Sequence, residues 1–326
     1  MRILIVKLSS LGDVVHAMPV VHDILRVHTA ATIDWVVEPG FAPLLRRMHG
    51  LAEVIECPLR RWTRTWWRGT MRRELRALRE RLDAHAYDAI LDLQGLTKSA
   101  LVAWLARGTR FGLANRTEGA SHEPPARWLA HRPIRIEPRI HALDRSRELA
   151  ARALGYRVEG PPDFGLGHAT AAARADEQPT LLFIHGSSRA DKLWPETDWI
   201  ALGRRALDDR WRLALPQAGA EEAARAASSR AALAPGCTVW PSLDIGAVID
   251  RMRGVQGAIG VDSGLSHIAT ALDLPHVQLY NFPTAWRTGP LPSHGHRHQV
   301  AIEGRPAPTL DAVWQAWCGV KPAVRG

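Results

Sequence analysis

Residues 2–8, RILIVKL, form a short β-branched run that stops at Ser9-Ser10-Leu11-Gly12-Asp13, and apolar positions then continue at helical spacing through Val20, Ile24 and Leu25. The pattern predicts strand, loop, helix. Pro19, with no amide hydrogen to give, either sits in the first turn of that helix or kinks it. Thr32–Val37 reads as a second strand, Leu75–Leu82 as a helix, and Asp88–Leu93 as a third strand ending at Gln94-Gly95. From Gly155 to Pro179 the chain turns to Gly, Pro, Ala and polar residues around Pro161-Pro162, which predicts a linker at about 155–179 and domains at 1–160 and 161–326. The alternation then restarts. Thr180–Ile184, Trp211–Leu215 and Val255–Val261 read as strands, with helices near Asp198–Ala206 and Leu265–Leu272. Both halves therefore predict an α/β class with a parallel sheet covered on both faces, and ligand loops after the carboxyl ends of the strands. Two such domains facing each other would hold a ligand in the cleft between them.

Composition narrows the class. The 326 residues are 46% hydrophobic and 23% charged, ordinary values for a folded chain, and contain no apolar run of about 18 residues. The first residues meet Ser, Gly and Asp13 too soon for a signal-peptide core, so a cytosolic protein is expected. Cys57, Cys237 and Cys318 lie too far apart for a disulfide framework or a metal spacing and read as buried small hydrophobes.

Charge adds a location. Residues 1–150 hold 24 Lys+Arg against 16 Asp+Glu, net +8, whereas residues 151–326 hold 18 against 17, net +1. The densest stretch, Arg60 to Arg81, has nine arginines facing Glu74 and Glu80, and Trp62, Trp66 and Trp67 interleave with its first four. Such a segment is expected to meet an anion: nucleic acid, a membrane surface or a phosphorylated substrate. For Arg72 to Arg81 the plainer reading is a solvated helix face.

Three loops carry candidate chemistry. Ser9 and Ser10 allow close backbone approach to a ligand, and Asp13 is either a helix N-cap or a proton acceptor. The absence of G-x-G-x-x-G after this strand disfavours a nicotinamide or flavin site. In His185-Gly186-Ser187-Ser188-Arg189-Ala190-Asp191-Lys192 the two hydroxyls and Lys192, one of four lysines beside 38 arginines, suit phosphate. In Gly260-Val261-Asp262-Ser263-Gly264-Leu265-Ser266-His267 the amides of Ser263, Gly264 and Leu265 open a helix and suit a diphosphate, while Asp262 would accept from sugar hydroxyls. His267 is either a donor contact or a satisfied structural histidine. No Asp-x-Asp, H-E-x-x-H, G-x-S-x-G or Walker lysine motif occurs, which weighs against divalent-metal chemistry.

Taken together, ILIVKLSSLGDVVHAMPV, DLQGLTKS, HGSSRADKLWP and GVDSGLSHIATAL resemble the ADP-heptose:lipopolysaccharide heptosyltransferases along essentially the whole chain. The resemblance implies a GT-B fold of two Rossmann-like domains, acceptor on the first and ADP-heptose on the second. It further implies inverting transfer of L-glycero-D-manno-heptose to the first Kdo of Kdo2-lipid A, with no cofactor and no metal, at the cytoplasmic face of the inner membrane. By position it makes Asp13 the general base, Lys192 the diphosphate and donor-sugar contact, Asp262 the heptose carboxylate and Glu222 the ribose contact. Ser187 and Ser188 stand where relatives carry threonines. Arg60, Arg61 and Arg64 become acceptor candidates, with Gln94 and Lys98 behind them. A relative adding the second or third core heptose is the alternative, and a basic RNA-binding module a remote one.

Overall fold

The computed structural model describes residues 1–64, 69–167 and 178–322, with side chains for all of these except 63, 64, 69 and 70. The chain divides into two compact units, Met1–Gly165 and Leu166–Gly326. The composition shift in the sequence puts the break after residue 160.

In the first unit β1 (Arg2–Val6), β2 (Thr32–Val37), β3 (Glu53–Glu56), β4 (Ala86–Asp92), β5 (Arg107–Leu113) and β6 (Arg132–Ile134) form one parallel sheet in the order β3-β2-β1-β4-β5-β6. The second unit repeats the plan. Its strands β7 (Thr180–Ile184), β8 (Arg212–Leu215), β9 (Cys237–Val239), β10 (Gly257–Val261), β11 (His276–Tyr280) and β12 (Gln299–Glu303) are parallel in the order β12-β11-β10-β7-β8-β9. Read from the other edge, this is the same 3-2-1-4-5-6 order, that of the doubly wound nucleotide-binding fold. Strand order reverses between β1 and β4 and between β7 and β10, so each sheet opens a crevice at the carboxyl ends of those two strands.

Central strands are apolar on both faces because helices cover both. Ile3, Leu4, Ile5 and Val6 are fully buried, as are Ile33, Trp35, Val36 and Val37. In the second unit Phe183, Trp194, Trp199, Trp211 and Trp317 anchor the cluster under the sheet, with Trp194 edge-on to Trp199 at 5.1 Å. Pro19 starts a helix of its own, Pro19–Val27, after Leu11–Ala17 has ended, since its missing amide is an orphan at that position anyway. A buried fork-to-carboxylate pair, Arg147 Nε and Nη2 on Asp23 at 2.6 and 2.8 Å, clamps that helix to Ala142–Leu154. Cys57 and Cys237 are buried, but Cys318 is exposed: it faces outward on Leu310–Val320, whose inward positions are Val313 and Trp317. Among the described residues no helix is long and apolar enough to cross a membrane.

Candidate active site

The loop after β1 is shaped by the strand beside it. Gln94, just past β4, accepts through Oε1 from the amides of Leu8 (2.8 Å) and Ser9 (3.2 Å), and its own amide donates to the Asp92 carboxylate at 3.0 Å. Asp13 is then presented from the first turn of Leu11–Ala17. It is not the N-cap, which is Ser10, but the third helical residue. Its Oδ2 accepts from the Ser10 amide (3.2 Å) and hydroxyl (2.7 Å), the acid half of a capping box. That leaves Oδ1 facing Lys7 Nζ at 3.8 Å and Arg145 Nη2 at 4.0 Å. Burial opposes ionisation of Asp13, but the Lys7 charge, the Ser10 bonds and Arg145 outweigh it and hold the carboxyl below its ordinary range. Lys7 itself is only 2% exposed, donates to the Leu93 carbonyl at 3.1 Å, and is pushed down to about 8 by burial, partly countered by Asp13. Between that value and the ordinary 10.5 the unfolded chain keeps a proton the folded chain has released, so the Lys7 contribution favours folding more as pH rises through this window.

The second crevice gathers the other candidates. Lys192 closes the short turn Ala190–Lys192, and its Nζ lies 2.6 Å from Asp262 Oδ2. His267 Nε2 stands 3.5 Å from Asp262 Oδ1. Burial would raise the Asp262 carboxyl, but His267 and Lys192 together hold it well below the usual carboxylate range. Ser187 Oγ donates to the Asp262 carbonyl at 3.3 Å, tying the loop after β7 to the loop after β10, while Ser188 is exposed beside it. Ser263 caps the helix Gly264–Ala271, and its buried hydroxyl has no protein partner. The amides of Gly264 and Leu265 open that helix with no intrahelical acceptor available to them. Glu222, in the first turn of Gly219–Leu233, accepts from the Ala218 amide at 2.7 Å and lies over Gly186. Burial pushes the His185 imidazole below its ordinary value, and its Nε2 meets the Pro216 carbonyl at 3.0 Å.

The structure places the remaining candidates and changes one expectation, that for Trp62. Ser9 and Ser10 belong to the first unit with Asp13, and the Ser10 hydroxyl donates to that carboxylate. Gln94 is a buried loop clamp. Trp62 is 3% exposed and packs with Val36, Leu78 and Leu82, its indole N–H on Glu74 at 2.6 Å, so it is core and not a membrane contact. The interleaved sequence misleads here because Trp62 on the helix Leu59–Arg64 meets Glu74, Leu78 and Leu82 of the helix Gly69–Asp83. Arg60 and Arg61 are exposed, Arg60 over the Phe41 ring at 5.7 Å and Arg61 on Glu74 at 2.7 Å. The side chain of Arg64, and Trp66 and Trp67 entirely, lie outside the described residues. Lys98 is exposed at the start of Thr97–Leu105.

The family model for glycosyltransferase family 9 (heptosyltransferase) matches residues 75–310. The chain is 36% identical to lipopolysaccharide heptosyltransferase 1 of Pseudomonas aeruginosa over 282 residues, covering 86% of this chain and 78% of that protein. It is 36% identical to the enzyme of the same name from Escherichia coli K12 over 286 residues, covering 86% and 88%. The chain belongs to glycosyltransferase family 9. The solved Escherichia coli heptosyltransferase WaaC with ADP-2-deoxy-2-fluoro heptose superposes with a TM-score of 0.83 at 33% identity, over 97% of this chain and 98% of that one. The two sheets described above are thus the two Rossmann-like halves of a GT-B fold.

In this glycosyltransferase several positioning residues escape sequence reasoning. Asn281, just past β11, donates through Nδ2 to the carbonyls of Asp191 and Leu193 at 2.9 Å each and so brackets Lys192. Lys7 carries no sequence signal beyond its place just before the loop. Gly186 is the least obvious: a Cβ there would come 2.0 Å from Glu222 Oε1. Gly186→Ala is expected to push the Glu222 carboxylate out of place and raise the donor KM at least about tenfold with little change in melting temperature. Titration of ADP into the variant checks this, and unchanged affinity would remove Glu222 from the donor site.

Proposed function

We propose that this glycosyltransferase moves L-glycero-D-manno-heptose from ADP-heptose to the first Kdo of Kdo2-lipid A, with inversion and without a metal ion, at the cytoplasmic face of the inner membrane. The observation that carries the reading is the near-complete superposition on a chain solved with an ADP-heptose analogue. In this reading Asp13 Oδ1, the oxygen not bonded to Ser10, takes the proton of the acceptor hydroxyl. The hydroxyl oxygen bonds to the anomeric carbon as the bond from that carbon to the diphosphate oxygen breaks. The electron pair leaves with ADP, and a single displacement inverts the centre. Lys192, whose ammonium has two donors beyond the one given to Asp262, and the amides of Ser263, Gly264 and Leu265 receive the charge growing on the diphosphate. Asp262, kept ionised, accepts from heptose hydroxyls, and Glu222 accepts from the ribose. His267 acts through Asp262.

Arg60, Arg61 and Arg64 suit the phosphates and carboxylates of the acceptor. Neutralising all three should raise the acceptor KM far more than the donor KM; equal shifts in initial-rate kinetics would count against the assignment. The reading as a whole is tested by offering purified protein ADP-heptose in a chelating buffer with either Kdo2-lipid A or its heptosylated product. Transfer to Kdo2-lipid A with inverted anomeric configuration is expected. Transfer only to the heptosylated acceptor would reassign the enzyme to a later core heptose.

A further inference from the structure

Three outward helices of the first unit carry apolar and cationic side chains that neither the core nor the reaction uses. Helix Gly69–Asp83 turns Leu78 and Leu82 inward and leaves Arg72, Arg73 and Arg76 outside. Packed against it, Thr97–Leu105 buries Val102 and Ala103 in the same cluster and exposes Lys98, Leu101 and Trp104. Pro124–Leu129 packs on that helix in turn, with Ala126 buried and Arg127 and Trp128 exposed. Leu101 is 50% exposed, Trp104 56% and Trp128 78%; no other tryptophan among the described residues is exposed.

We propose that this face docks on a bilayer containing anionic phospholipids, with Leu101, Trp104 and Trp128 in the headgroup layer and the exposed arginines of the adjoining helices on lipid phosphates. Tryptophan beside a cationic fringe suits headgroup depth, where the ring has an apolar body and a wet N–H. Charge selects this occupant. A second copy docking through the same patch about a twofold axis would set arginines against arginines, in a half of the chain that already carries +8 over residues 1–150. An aliphatic Leu101, one turn before Trp104 on the same helix, favours an acyl boundary over stacked bases. The inference rests on the proposed lipid-anchored acceptor but is tested separately from it.

The full chain is sedimented with vesicles of phosphatidylcholine plus phosphatidylglycerol and with vesicles of phosphatidylcholine alone. Binding to the anionic vesicles that weakens with salt is expected. Trp104→Ala/Trp128→Ala should weaken it by about tenfold, and Arg73→Glu/Arg76→Glu by about fivefold or more for each charge lost. Transfer to a deacylated, water-soluble acceptor should be unaffected in both variants. Wild-type binding that ignores lipid charge, a tryptophan variant that binds as wild type, or one that changes oligomeric state or RNA binding instead, overturns the docking surface. Failure with the soluble acceptor in wild type would sink the proposed reaction instead, whatever the vesicles show.

Discussion

Asp13→Ala is expected to lower heptosyl transfer by about 10²- to 10⁴-fold, the usual range for a positioned general base, with ADP affinity nearly unchanged. The separation follows from placement. Asp13 is held entirely by first-unit groups, Ser10, Lys7 and Arg145, whereas Lys192, Asp262 and Glu222 all belong to the second unit. Asp13→Asn keeps the shape and most of the Ser10 contact but cannot take a proton, so it should be as inactive as the alanine variant. If Asp13 is the base, its depressed carboxyl sets the pH dependence: it stays ionised down to below the ordinary aspartate value of 3.8, so the acid limb of kcat/KM should lie below that pH. A weak base suffices because the acceptor hydroxyl becomes acidic as its new bond forms. A mutant retaining near-normal turnover, or an acid limb near neutrality that vanishes in Asp13→Asn, would remove Asp13 from this role.

Lys192→Ala should be nearly as severe. Removing one preorganised donor to a developing oxyanion costs about 10²- to 10³-fold in kcat. A second loss follows from the ion pair at 2.6 Å, since Asp262 would lose its ammonium partner and keep the His267 ring at 3.5 Å, and its carboxylate would swing or draw in a proton. Donor KM should therefore rise together with the fall in kcat. The variant should also unfold earlier, by on the order of 1–2 kcal/mol once the partial exposure of Lys192 is allowed for. Lys192→Arg is expected to recover little, because a flat guanidinium cannot replace a compact ammonium that must serve Asp262 and phosphate at once. Kinetics at saturating and limiting donor, with thermal melts of each variant, check the three effects. A change in KM alone would make Lys192 a binding residue with no part in leaving-group departure.

Sequence reasoning reached what depends on local spacing. Thr180–Ile184 is a strand within those bounds, and the loops holding Asp13, Lys192 and Asp262 all follow carboxyl ends of strands flanking the two switch points. Hydrophobic periodicity and the Gly-rich breaks contain that much. It missed what depends on a distant neighbour. Trp62 looks interfacial among arginines until the next helix is laid over it, and the bonds that the Gln94 side-chain carbonyl accepts from Leu8 and Ser9 leave no trace in local spacing. Glu222 stands out by resemblance alone, because the glycine that gives it room lies 36 positions earlier, on another loop. Asn281 has no local signature, since both its acceptors are carbonyls far back along the chain.

The Gln94 clamp also orders events during synthesis. β1 pairs with both β2 and β4, and its following loop takes its bonds from a side chain 86 positions downstream of Leu8. The ribosome must therefore release β4 and Gln94 before the Leu8–Ser9 stretch leading to Asp13 can be clamped, so that loop is set only once most of the first unit has been made. A chain stalled before Gln94 would carry every residue of the Ser10–Asp13 turn and still lack the clamp on the two amides that lead into it.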